Sequence, residues 1–106
     1  MSAVLGAALL LASSWCQESR VTGYVRSEYG PYTYDGTPIW EEGIAAASWD
    51  IPIDSLVEVG GLGTYRVADR GMLGSSGWID IAVSDRATAY AITSTRTVCI
   101  YPPEGR

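Results

Sequence analysis

The chain has 106 residues, of which 47% are hydrophobic, so it can form one domain with its own core but not two. Its 12 acidic and 7 basic residues give a net charge of −5, and every basic residue is Arg. A chain with a net negative charge binds phosphate groups weakly, so nucleic acid is not an expected partner. The sequence has no His and only two Cys, which excludes a zinc finger, a His-based triad and a His-ligated metal site, and no cofactor is expected.

An apolar segment occupies residues 1–16, ahead of a body predicted over 17–106. Its run from Ala3 to Ala12 is too short to span a bilayer and resembles the apolar part of a secretory signal, which predicts export to the cell envelope, the medium or a virion. The alternative is a retained short helix. Such a helix on so small a body needs a partner to cover it, so it predicts docking in a homo-oligomer or larger assembly.

The two cysteines lie far apart in the chain. Cys16 precedes the predicted body and Cys99 lies near its end. In an oxidising compartment, a disulfide between them would tie the two termini together. The alternative is two unpaired thiols, with Cys99 buried in a strand.

Short strand patterns separated by Gly-rich turns run through the body. Ser84 is the predicted N-cap of a short helix that reaches about Ile92, with Asp85 in its first turn. Six short strands with one late helix indicate a mainly β fold that closes into a small barrel, since closure removes exposed sheet edges. The strands are predicted, in chain order, over residues 20–25, 43–48, 55–59, 63–68, 78–83 and 95–101.

Two aspartates carry the most chemical information. Asp69 ends one predicted strand, and Asp80 lies inside the next, between Ile79 and Ile81. Because successive side chains of a strand point to opposite faces, Asp80 should face away from the apolar side, into a cleft. Asp is disfavoured in strands, so the presence of an Asp at position 80 requires an explanation. The explanation is either a hydrogen bond or salt bridge, to Arg70 or a loop amide, or catalysis.

Several ordered motifs between Val21 and Tyr101 together resemble the three-aspartate domain of bacterial cell-wall proteins. That domain occurs in membrane-bound lytic transglycosylase A, and the rare lipoprotein A barrel is a more distant relative. The resemblance implies a six-stranded double-psi β-barrel. The matching segments are residues 33–38, 43–46, 51–57, 61–71 and 79–81, the last being Ile-Asp-Ile.

The resemblance implies an activity as well. It predicts a lytic transglycosylase-like enzyme that cleaves the bond between N-acetylmuramic acid and N-acetylglucosamine, with Asp80 as general acid/base and Asp69 beside it. One carboxyl suffices because the sugar's own 6-hydroxyl attacks, whereas glycoside hydrolases generally use two carboxylates. The sequence departs from the family pattern at its first aspartate, which falls on Ala47 here, with Asp50 three residues away.

The alternative function is a non-catalytic module that binds glycan or builds an extracellular or virion assembly. For the enzyme and for the glycan-binding module, the expected partner is peptidoglycan or another polysaccharide. Arg70 either binds a carboxylate of a peptide stem or pairs with Asp69. Trp40 and Trp49 are expected to line the core, with stacking on a sugar ring as the alternative. Other aromatic side chains suit stacking on a pyranose ring, and the predicted ones are Tyr32, Tyr34 and Trp78, together with Tyr29.

Overall fold

The computed structural model describes residues 14–71 and 76–103. The apolar run at residues 3–12, predicted to be a secretory signal or a docking helix, lies outside these ranges. Within them, no helix has the length and apolar character needed to cross a lipid bilayer.

The described chain forms a mainly β fold with one late helix, as predicted. A short 3-10 turn, Arg26–Glu28, follows the first strand. In chain order the elements are β1 Trp15–Val25, β2 Ile44–Ala47, β3 Leu56–Val59, β4 Gly63–Arg70, β5 Trp78–Val83, α1 Arg86–Ile92 and β6 Ser94–Tyr101.

The strands close into a barrel, which confirms the predicted closure. Their order around the barrel is β1-β5-β2-β4-β3-β6. The pairs β1–β5 and β2–β4 are parallel, whereas the other four pairs are antiparallel. Alternating apolar side chains from all six strands fill the interior, among them Val21, Ala45, Val57, Val67, Ile79 and Ile100.

Strand β1 begins five residues earlier than predicted, at Trp15 rather than Arg20. The extension is paired with β6, so the hydrogen bonds of a neighbouring strand hold residues whose side chains are mostly polar and exposed. Cys16 therefore belongs to the barrel. It lies directly opposite Cys99 and forms a disulfide with it. The alternative of two unpaired thiols is therefore wrong. Cys99 is half-buried on the outer wall of the barrel rather than in the core.

A second apolar cluster lies outside the barrel, under the loop of residues 29–43. Ile39 from this loop packs on outward-facing residues of four strands, namely Tyr24, Ile44, Ala46, Ala68 and Ala82. Trp40 and Trp49 are 60% and 54% exposed, so the expectation that they line the core is wrong. Ile39, next to Trp40 in the loop, takes the buried position instead.

Two arginines hold the 29–43 loop on the barrel. The buried Arg26 guanidinium donates to the carbonyl oxygens of Ile39, Glu41 and Ala82. Arg66 bridges Asp35 at 3.0 Å and Glu41 at 3.1 Å. Partial burial acts to raise the pKa of Asp35, but hydrogen bonds from Thr37, Thr33 and Arg66 outweigh it and lower that pKa to about 2. These contacts fix the loop on the barrel, where its residues form one wall of the cavity that also contains Asp69 and Asp80.

Helix α1 begins one residue later than predicted. Its N-cap is Asp85, whose carboxylate accepts a hydrogen bond from the backbone N–H of Thr88 at 2.7 Å, so the assignment of Ser84 as the cap is wrong. Both residue types are good caps, and the local sequence does not separate them.

Candidate functional site

A β-bulge directs Asp69 to the outer face of the barrel. Ala45 of β2 pairs with Val67 of β4, but the next residue, Ala46, pairs with Asp69. Without this extra residue, alternation would place Asp69 on the same face as Val67, which is buried in the core. Bulges often redirect side chains in this way beside functional sites.

Asp80 lies on the other side of the same alanine. It pairs with Ala46 across the antiparallel β2–β5 ladder, so Asp69, Ala46 and Asp80 lie side by side on three neighbouring strands. Ala46, between the two aspartates, is itself buried in the cluster that contains Tyr24 and Ile39. Both carboxyl groups line a cavity of about 420 Å³, together with Tyr24, Tyr29, Gly30, Tyr32, Ile39, Arg70 and Gly71.

A second cavity continues from the first on the far side of Asp80. It has a volume of about 320 Å³ and lies between β1, the 3-10 turn and helix α1. Tyr24, Tyr29 and Asp80 line both cavities. We call the two cavities together the Asp80 groove, because Asp80 stands at their junction.

The Asp80 carboxyl group is held by a threonine on the neighbouring strand. Thr22 pairs with Asp80 in the parallel β1–β5 register, and its hydroxyl donates to Oδ1 at 2.9 Å. The indole N–H of Trp78 donates to that hydroxyl oxygen, also at 2.9 Å. Burial raises the pKa of Asp80 above its ordinary value, the nearby charge of Asp69 adds to the rise, and the Thr22 hydrogen bond opposes it.

Asp69 is held by main-chain donors instead. Its Oδ1 accepts from the backbone N–H groups of Tyr34, at 3.0 Å, and of Arg70, at 2.9 Å. The hydroxyl of Tyr24 lies 3.5 Å from Oδ2. Burial, followed by the negative charges of Asp69 and Asp80, raises the pKa of Tyr24 well above its usual range, so this phenol remains neutral. Asp69 therefore joins the 29–43 loop to the barrel and brings its charge next to Asp80.

Arg70 lines the groove but does not pair with the Asp69 side chain. Its guanidinium donates to the carbonyl oxygens of Ser48 and Ile51 and lies over the ring of Trp49, 4.6 Å from its centroid. Across residues 14–71 and 76–103, the salt bridges belong to Arg66 and Arg86, so the expected Asp69–Arg70 salt bridge is not formed. Asp69 holds the Arg70 backbone instead.

The aromatic residues proposed for sugar binding divide among three positions. Tyr32 lines the groove and is 66% exposed. The Tyr34 ring packs edge-on against Trp49, with centroids 5.5 Å apart, and does not line the groove. Trp78 reaches the site only through its hydrogen bond to Thr22.

Neither Ala47, which takes the position of the first aspartate in the three-aspartate pattern, nor the nearby Asp50 contributes a carboxylate to this site. Ala47 faces the core. Asp50 accepts hydrogen bonds from the Ser48 hydroxyl and the backbone N–H of Gly77, so it holds the turn that leads into β5.

Sequence reasoning missed two residues of the site, Thr22 and Tyr24. They occupy alternate positions of β1, so the sequence could have indicated that their side chains share one face of the strand. Their partner strand is β5, more than 50 residues later in the chain, and no local pattern indicates that pairing.

Comparison with known proteins gives no relative: no family model, no curated protein and no solved structure matches the chain. The described residues also contain no group of three or more acidic or cysteine side chains placed to hold a metal ion.

Proposed function

We propose that this chain is a peptidoglycan-directed, lytic transglycosylase-like enzyme in which Asp80 is the general acid/base. The observation that carries the proposal is the placement of Asp80 and Asp69 on either side of Ala46, on one wall of an open groove. The resemblance to the three-aspartate domain supplies the substrate class, the linkage between N-acetylmuramic acid and N-acetylglucosamine.

In this reaction a single carboxyl group transfers protons in both directions. Protonated Asp80 gives its proton to the glycosidic oxygen as the bond from that oxygen to C1 of the muramic acid residue breaks. The 6-hydroxyl of the same residue bonds to C1 and returns its proton to Asp80, which leaves a 1,6-anhydro product without consuming water. Burial and the charge of Asp69 favour the protonated starting form, as a general acid requires.

The groove extends on both sides of the proposed acid. Tyr32 and Arg70 line one cavity, and Tyr90 of α1 lines the other. Tyr29 lines both and presents a large exposed ring. Aromatic faces suit the C–H faces of pyranose rings, so a glycan would place sugars in both cavities with the scissile bond at Asp80.

We further propose that the barrel is of the double-psi type and that the protein is exported. The two parallel pairs, each between strands that are not consecutive in the chain, support that topology. The Cys16–Cys99 disulfide is of the kind that persists in oxidising compartments, where peptidoglycan also lies. The apolar residues 3–12 would serve as the export signal or as a docking helix in an assembly.

The test is digestion of purified peptidoglycan sacculi, followed by mass spectrometry of the soluble muropeptides. We expect 1,6-anhydro products from the wild-type protein and at least ~100-fold less from Asp80→Asn, since general acid–base groups contribute about that factor or more. Asp85→Asn is the matched control, because that carboxylate is exposed on the N-cap of α1, and it should act like wild type. Equal product from wild type and Asp80→Asn would overturn the proposal, as would its absence from both.

A specific observation favours a second candidate function, a non-catalytic glycan-binding or assembly module. Trp40 and Trp49 are more than half exposed, although burial would stabilise such large apolar side chains, and Trp49 stacks with Arg70, which lines the groove. In this case sacculi would retain the protein, Asp80→Asn would bind as well as wild type, and no anhydro product would appear. Trp49→Ala would then weaken binding.

A further inference from the structure

We infer that Thr22 and Trp78 form a one-directional hydrogen-bond relay that keeps the acidic proton of Asp80 on Oδ2, the carboxyl oxygen to which Thr22 does not donate. The inference gives positioning roles to two residues and rests on the proposed function for its catalytic meaning. Its structural content, the direction of the relay, can be tested without any substrate.

The direction follows from the chemistry of the donors. An indole N–H can only donate, so Trp78 must be the donor in its contact with the Thr22 oxygen. A threonine hydroxyl has a single hydrogen. Among the described residues, the only acceptor that this hydrogen meets is Oδ1 of Asp80. Thr22 therefore donates to Asp80, and Oδ1 accepts.

This direction decides where the carboxyl proton resides. A proton on Oδ1 would turn it into a hydroxyl oxygen, which is a weaker acceptor, and so would weaken the hydrogen bond that Thr22 donates in this partly buried site. A proton on Oδ2 leaves every hydrogen bond of the relay intact. The relay therefore favours the protonated form that carries its hydrogen on Oδ2, and it holds the carboxyl plane in place.

Other titratable or charged groups line the same two cavities as this carboxyl and must be accounted for in any titration. They come from four elements around the groove and are Tyr24 on β1, Glu28 on the 3-10 turn, Asp69 and Arg70 on β4, and Arg86 on α1. None of them makes a hydrogen bond to Asp80 in the described chain. The negative charge of Asp69 raises the pKa of Asp80 without a hydrogen bond, so its effect should persist when the relay is removed.

The experiment is a double-mutant cycle read by NMR titration of the Asp80 carboxyl carbon. Thr22→Val removes the donor to the carboxylate, so it should raise the pKa of Asp80 and increase the protonated-to-ionised ratio roughly tenfold at fixed pH. Trp78→Phe frees the hydroxyl to accept as well as donate, so it should raise the pKa by less. Because Trp78 acts only through Thr22, Trp78→Phe should have no further effect in the Thr22→Val background.

The controls use the same substitutions elsewhere. Thr97→Val removes a surface hydroxyl bound to Glu18, and Trp40→Phe changes an exposed ring, so neither should move the titration. Thr22→Ser keeps the hydroxyl and should restore the wild-type pKa, which separates the relay from a general effect on folding. Additive effects of Thr22→Val and Trp78→Phe, or failure of Thr22→Ser to rescue, would overturn the relay.

The outcome is distinguishable from that of the proposed function. Non-additive titrations without anhydro products would establish the relay in a protein that is not a transglycosylase. Anhydro products with additive titrations would keep the enzyme and remove the relay.

Discussion

Asp80 is the residue at which the requirements of folding and of the proposed chemistry conflict. It lies on a strand, where Asp is disfavoured. Its carboxyl group is half-buried near the negative charge of Asp69. Burial and the charge of Asp69 raise the pKa of Asp80 and so make the ionised folded state costly. A residue that costs stability and lines an open groove is typical of a functional site.

We predict that Asp80→Asn stabilises the protein at neutral pH. A folded-state pKa above the unfolded value means that wild-type stability is complete below about pH 4, the ordinary carboxyl pKa, and declines as the pH rises through the higher folded value. Asn cannot ionise, and its amide oxygen still accepts from Thr22. Thermal unfolding from pH 3 to 8 should show the two proteins converging at low pH and the variant unfolding at higher temperature at neutral pH.

The comparison for this prediction is Asp85→Asn. The backbone and side-chain hydrogen bonds of Thr88 lower the pKa of Asp85, so its carboxylate stabilises the fold above that pKa and the variant should gain nothing at neutral pH. An Asp80→Asn protein that is less stable than wild type at pH 7 would contradict the assigned environment of Asp80.

At the scale of elements, helix α1 is positioned by a glycine in the strand beneath it. A Cβ atom added to Gly23 of β1 would lie 2.9 Å from Cα of Ala89 and 3.1 Å from its Cβ. The helix can therefore rest directly on the strand, where it forms one wall of the smaller cavity of the Asp80 groove. The close approach depends on the absence of a side chain at this position.

We predict that Gly23→Ala destabilises the protein by about 1–3 kcal/mol, since the added methyl group must displace helix backbone. Chemical denaturation gives the free energy of unfolding. Gly30→Ala is the matched control, because a Cβ at Gly30 meets no atom within 4 Å. Equal stabilities of the two variants would show that α1 is not seated on β1 as described.

At the scale of the whole molecule, the first and last strands are adjacent and covalently joined. Strands β1 and β6 pair along seven residues and carry the Cys16–Cys99 disulfide across the pair. The crosslink spans 83 positions of sequence, so it closes almost the whole described chain into a loop. Such a crosslink reduces the conformational freedom of the unfolded chain, which stabilises the folded barrel.

We predict that the double variant Cys16→Ser, Cys99→Ser unfolds with a free energy lower than wild type by about 4–5 kcal/mol, the value of the chain-entropy model for a loop of this length. Denaturation of the wild type with and without a thiol reductant should reproduce the difference. Unchanged stability after reduction would mean that the strand pairing alone holds the termini together.

Local sequence patterns were sufficient for the elements and for one of the two aspartates. Short strand patterns bounded by turn residues located five strands to within a few residues, and Ile79 and Ile81 indicated that Asp80 faces outward. The pattern failed for the start of β1, because residues from Trp15 to Arg20 are held by pairing with β6 rather than by burial. It failed for Trp40 as well, since whether a loop residue is covered depends on distant strands.

The sequence by itself therefore determined a closed, mainly β barrel and an acidic, histidine-free set of side chains, because composition and short-range patterns are properties of the chain alone. Only the tertiary structure decided that Asp69 shares the outer face with Asp80, because a bulge between β2 and β4 reverses the alternation that its position would otherwise follow. The placement of Thr22 beside Asp80 was likewise decided by the parallel pairing of β1 with β5. Strand pairing joins residues far apart in sequence, and no local pattern carries that information.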